Sequence, residues 1–122
     1  MSSSSGFHDL VGVSLEESED GRTTVVLDAT ERHLNSHGTV HGGAIATLVD
    51  SAMGAAVATT GEAPVTIEMK VTYLEPAKPG RLAANAEVRR RGSRVTIVEA
   101  EVIDAEGSFV AHAIATFTTV GD

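Results

Sequence analysis

One alanine-rich, apolar run, residues 43–60, stands in a chain otherwise patterned for strands, and it decides what this sequence can fold into. At 100° per residue Ile45, Leu48, Val49, Ala52 and Ala56 share one side of a helix, and Thr47, Asp50, Ser51, Gly54 and Ala58 the other. Gly61 and then Pro64 follow, as expected of a stop. Around this helix the period falls to two. Residues 10–18 and 22–29 flank an Asp20-Gly21 turn; Ile67, Met69, Val71 and Tyr73 alternate with Thr66, Glu68, Lys70 and Thr72. Residues 82–91, 94–104 and 109–119 complete the set. The order ββ-α-ββββ predicts an α+β fold, one long helix with a six-stranded, largely antiparallel sheet. At 122 residues a single domain over 1–122 is expected, with residues 1–6 a disordered lead-in.

Hydrophobic residues make up 42% of the chain but aromatics only 3%, so the core must come from Ala, Val, Ile and Leu. Such side chains bury little area each, and subunit contacts would add to it, which favours an oligomer. A formal net charge of −8 argues against general nucleic-acid binding. Cysteine is absent, which removes disulfides, thiolate nucleophiles and Cys-based zinc sites. With no basic-then-apolar leader and no apolar stretch judged long enough to span a bilayer, the expected location is the cytoplasm. Arg89, Arg90, Arg91 and Arg94 crowd one predicted hairpin end. They read either as a solvated turn or as an anchor for a phosphorylated ligand.

The loop before the helix, Asn35-Ser36-His37-Gly38-Thr39-Val40-His41-Gly42-Gly43, carries the chemistry. A helix start presents unpaired N–H groups and a partial positive charge, and Gly42 and Gly43 let a carbonyl approach without a Cβ in the way. Asp50 follows about two turns later. Its surroundings are small and apolar, so it is expected to face a pocket or a partner subunit, sheltered from water. It could serve as general base or as nucleophile, and the sequence leaves both open. His33, His37 and His41 recur every four residues, yet Asn35, Gly38, Gly42 and Gly43 make a helix there unfavourable, so no metal site is expected. No G-x-S-x-G, G-x-G-x-x-G or G-x-x-x-x-G-K-[ST] pattern occurs. His112 reads as a packing or surface residue, and Asn35 taken alone as a residue that bonds its own loop.

Asn35-x-x-Gly38-x-x-His41-Gly42-Gly43, with Leu48 and Asp50 following, resembles the hotdog-fold acyl-CoA thioesterases of the phenylacetate-degradation type, within the hydroxybenzoyl-CoA thioesterase superfamily. Residues 66–77 are similar to that family's central strand, Pro79-Gly80 to its following turn, and 104–113 to its ending. The resemblance implies hydrolysis of an aryl- or short- to medium-chain acyl-CoA to free acid and CoA. It implies Asp50 as base or nucleophile, Gly42 N–H polarising the carbonyl, and Asn35 positioning carbonyl or water. His41 would orient the loop locally and Thr66 would hold the attacking water. It further implies a homodimer in which Asp50 and Thr66 face Asn35 and Gly42 of the partner, with dimers pairing into tetramers. Arg89, Arg90, Arg91, Ser93 and Arg94 would contact the CoA phosphates, although Gly92-Ser93-Arg94 stands where relatives often have Gly-Arg or Gly-Lys. CoA is part of the substrate, and no cofactor is implied. Met53, Gly54 and Val57 are expected near the acyl group. The competing readings are a non-catalytic acyl-CoA or acyl-carrier binder and, less in keeping with the motif, a hydratase.

Overall fold

The structure, a computed structural model, describes residues 6–120. Strands β1 (Val13–Glu19) and β2 (Arg22–Ala29) form a hairpin whose turn needs Gly21 at φ +73°, a left-handed conformation that a Cβ disfavours. The chain then passes through a loop into helix α2 (Gly42–Val57) and returns as β3 (Ala63–Tyr73). Strands β4 (Gly80–Arg91), β5 (Thr96–Ile103) and β6 (Phe109–Val120) follow as a meander. All pairings are antiparallel, and the order across the sheet is β1-β2-β4-β5-β6-β3. The expected α+β architecture, one long helix and six strands, is therefore present.

Helix α2 packs against all six strands. Its Ile45, Leu48, Val49, Ala52 and Ala56 are buried, as the periodicity predicts. They meet Leu27, Leu82, Val98, Val102 and Phe117. Small residues on the facing side of the sheet (Ala84, Ala86, Ala100, Ala113 and Ala115) are buried too and leave room for the helix to lie close. Thr23 adds a polar tie, its hydroxyl donating to the Ala52 carbonyl at 2.5 Å.

Four local features depart from expectation. Gly6–Val11 forms a short helix, α1, so Gly6 is not part of a lead-in and β1 starts at Val13 rather than near residue 10. The rest of the expected disordered segment, residues 1–5, lies outside the described residues. The α-helix ends at Val57 and tightens into a 3-10 turn, Ala58–Thr60, closed by Gly61 at φ +94°. Strand β3 begins at Ala63 and takes in Pro64, which a sheet edge tolerates because one side of the strand has no neighbour. Finally, the run Gly42–Thr60, with mean hydropathy 1.2, is long and apolar enough to cross a membrane, contrary to the sequence reading. Here it is the central helix, half buried within the fold, and its apolar side faces the sheet.

Candidate active site

His41 caps α2: its Nδ1 accepts from the Gly43 N–H at 2.8 Å. An accepting Nδ1 means that the proton of the neutral ring resides on Nε2. The preceding amide, Gly42 N–H, has no hydrogen-bond partner among the described residues. It is the first amide of the helix and lies ahead of the i to i−4 ladder. The dipole adds a partial positive charge at this point.

Asn35 shapes the loop that delivers this helix start. Its Oδ1 accepts from His37 N–H (2.9 Å) and Thr39 N–H (3.1 Å), and its Nδ2 donates to Thr39 Oγ1 (2.9 Å). Two backbone bonds, Asn35 N–H to Thr39 O and Gly38 N–H to Asn35 O, close the turn. One Nδ2 hydrogen is left over, so Asn35 retains a single donor for anything beyond the loop. His33 is engaged as well, with Nδ1 on Thr30 N–H and Nε2 on the Val11 carbonyl. Among the described residues no three His, Cys, Asp or Glu side chains gather as a metal site.

Asp50 lies half-buried on α2 within the single chain, and Thr66 Oγ1 donates to its Oδ1 at 2.7 Å. The strand brings Thr66 there by an irregularity. Thr66 pairs with Phe117 and Glu68 with Thr116, so Ile67 is an extra residue that shifts the register. Before this bulge the even-numbered residues face the helix: Pro64 lies near Gly54, and Thr66 contacts Asp50. After it the odd-numbered residues do: Met69 and Val71 pack on the core, and Tyr73 reaches α2. Strict alternation would put Thr66 and Tyr73, seven residues apart, on opposite faces. The bulge puts both on one. Ile67, expected on the buried side, is 53% exposed.

Tyr73 is the site residue that sequence reasoning did not find. Its hydroxyl donates to the Gly42 carbonyl at 2.8 Å, and a Cβ on Gly42 would meet the phenol carbon and oxygen at 3.3 Å. Only recognition of the bulge could have placed it there, and Thr66-Ile67-Glu68 carries no glycine or other local mark of one.

Gly42 and Asp50 stand eight residues apart on one straight helix, about 12 Å along its axis. A single chain therefore holds the donor and the acid at separate places. Beside the helix start, a recess of about 630 Å³ opens between α1 and α2, walled in part by Phe7, Leu10, His41, Ala44 and Thr47. Ser51 Oγ and His8 Nε2, 3.1 Å apart, tie the two helices together. Met53 and Val57, expected beside the acyl group, are completely buried in the core, and Gly54 abuts Phe117 and Pro64. Gly54 itself stays half-buried, on the same stripe as Asp50.

The arginines divide. Arg89 donates to Glu99 at 2.5 Å and lies 3.4 Å from Glu87. The hydrogen bond to Glu99, then the charges of Glu99 and Glu87, hold its guanidinium above the ordinary range. Arg91 turns to the end of α2, reaching Ala56 O, Val57 O and Thr59 Oγ1 at 3.3–3.4 Å. Ser93 and Arg94 lie in the exposed turn, and the Arg94 carbonyl accepts from Thr118. Arg90 is exposed on β4.

Residues 37–111 match the thioesterase superfamily, a span that takes in Gly42, Asp50, Thr66 and Tyr73. A Halobacterium salinarum protein, whose name goes no further than a provisional esterase, is 37% identical over 96% of this chain and 86% of its own. Human acyl-coenzyme A thioesterase 13 is 30% identical over 92% of this chain and 84% of its own. The structure of the PaaI protein from the Escherichia coli phenylacetic acid degradation operon superposes with a TM-score of 0.92 at 25% identity, covering 96% of this chain and 86% of that one. Matching sequence, a shared helix-in-sheet architecture and a capped, glycine-rich helix start all lead to one conclusion: the chain is a hotdog-fold member of the thioesterase superfamily.

Proposed function

We propose that this thioester hydrolase acts on acyl-CoA, with Asp50 as the base or nucleophile and the Gly42 N–H polarising the thioester carbonyl. The observation that carries this reading is the 2.7 Å contact between Thr66 and Asp50 on the same helix that begins with the unpaired Gly42 amide. Thr66 donates to the carboxylate and keeps its lone pairs for an attacking water. The second carboxylate oxygen can take that water's proton. An amide already aimed by the helix needs no rearrangement as charge builds on the carbonyl oxygen, and such donors commonly contribute about 100-fold or more. Asn35 offers its remaining Nδ2 hydrogen to the carbonyl or the water, and His41 holds the turn that aims Gly42. No cofactor is required.

Because donor and acid lie about 12 Å apart along one helix, the reading needs two chains. Strand β3 supplies the means: it is an edge strand of 11 residues, with Val65 44% and Ile67 53% exposed. Long apolar edges are normally covered. Pairing β3 with its copy about a twofold axis runs the two helices in opposite directions. The start of one then faces the middle of the other. A homodimer, pairing further into a tetramer, follows from this reading, as does a cytoplasmic location. The recess beside Phe7 and Leu10 suits an aryl or short- to medium-chain acyl group, and exposed Arg90 and Arg94 suit the CoA phosphates.

Release of free thiol from a panel of aromatic and aliphatic acyl-CoAs tests the proposal. Turnover is expected for some of them, with Asp50→Asn losing about 100-fold or more in kcat. Tight binding of CoA esters with no turnover of any would favour a carrier or binder instead.

A further inference from the structure

Two consecutive glycines are the most pliable backbone a chain can use, yet here they must hold an amide in one direction. The peptide unit joining Gly42 to Gly43 is gripped at both ends. Its carbonyl accepts from Tyr73 Oη at 2.8 Å, and its N–H donates to His41 Nδ1, also at 2.8 Å. Each gripping ring crowds the place where the glycine's side chain would be. A Cβ on Gly42 would lie 3.3 Å from Tyr73, and one on Gly43 would lie 3.1 Å from His41 Nδ1. The glycines and the rings are therefore one arrangement, in which missing side chains admit the groups that replace their stiffness.

We propose that Tyr73 is a positioning residue of the active site. By holding the Gly42 carbonyl it fixes the Gly42–Gly43 peptide plane that His41 holds from the other side. It so restrains the Gly42 backbone through which the adjoining His41–Gly42 plane, with its unpaired Gly42 N–H, is aimed. This rests on the thioesterase reading of that amide. Tyr73 acts through Gly42 and takes no proton in the reaction. The bulge at Ile67 thus serves two residues, bringing Thr66 to the acid and Tyr73 to the amide.

Tyr73→Phe keeps the ring and removes only the donor. The expected result is a fall in kcat of roughly 3- to 10-fold, in line with one neutral hydrogen bond, with KM and melting temperature little changed. Combined with His41→Ala, the losses should be less than multiplicative, since both residues hold one peptide plane. Backbone relaxation at Gly42 and Gly43 should show more motion in Tyr73→Phe, with Asp50 and Thr66 unaffected. Because Tyr73 is the chain's single tyrosine, fluorotyrosine incorporation alters that hydroxyl alone in an otherwise native fold. Fluorination changes the strength of that donor while keeping the ring, so kcat at a fixed pH should change with KM unaltered. An unchanged kcat in Tyr73→Phe or strictly multiplicative losses would overturn the inference. If the wild type cleaved no thioester, the functional reading would fail, while the relaxation measurement would still report on the grip itself.

Discussion

Asp50 and Thr66 each limit what the other can do. A threonine hydroxyl has one proton, and here it goes to the carboxylate at 2.7 Å, so any water it holds must donate to Thr66 rather than accept from it. Thr66→Ala removes that hold and is expected to cost about 10- to 100-fold in kcat, the range for a hydrogen bond to a charged group. Thr66→Ser should recover most of it, and steady-state kinetics of the pair will show whether the hydroxyl or the methyl matters. The sequence pointed to both residues through their resemblance to a known pattern. Their contact could not be read from spacing, because strict alternation in β3 turns Thr66 towards the wrong face. Asn35 shows the converse. Its loop-bonding role, the plain reading of an Asn among Ser, Gly and Thr, is what its three side-chain hydrogen bonds display. Any role in chemistry must use the single hydrogen left.

At the scale of elements, helix α2 was readable because its apolar residues recur at helical spacing and glycines bracket it. Helix α1 was not: six residues, none buried, give no periodicity to detect. The arginine-rich end of β4 was read as one cluster, but the fold separates its members. Arg91 faces the last carbonyls of α2, a place where a cation also opposes the negative end of the helix dipole. Arg91→Ala is expected to lower stability by about 0.5–1 kcal/mol and to leave KM for the CoA ester alone. Arg94→Ala should do the reverse, raising KM without shifting the melting curve. Chemical denaturation and kinetics on the same two variants separate the roles. A core change of the ordinary kind, Met53→Ala, should cost about 2–5 kcal/mol, since Met53 is completely buried against the sheet. It should not change acyl preference, because the Met53 side chain points wholly into the core.

For the molecule as a whole, a site divided between chains makes a test by mixing. Subunits carrying Asp50→Asn retain a sound Gly42, and subunits carrying Gly42→Ala retain a sound acid, although that Cβ crowds Tyr73 at 3.3 Å. Each homodimer should be nearly inactive, whereas co-refolded mixtures should regain up to about a quarter of wild-type activity, because half the dimers are mixed and each carries one intact site. No recovery on mixing would place the whole reaction within one chain. Val65→Lys on the β3 edge should likewise weaken association, visible as a smaller sedimenting species and as activity that drops on dilution. The extra residue at Ile67 has a consequence for how such a protein can change over time. Removing it would leave every strand able to find its neighbour and the interior nearly as well filled. Thr66 and Tyr73 would then stand six residues apart and share the helix-facing side by plain alternation, so the hydroxyl would stay beside the acid. Loss of the bulge with Ile67 kept is the change that parts the acid from its hydroxyl, so an insertion in this strand and its later deletion need not be equally harmful.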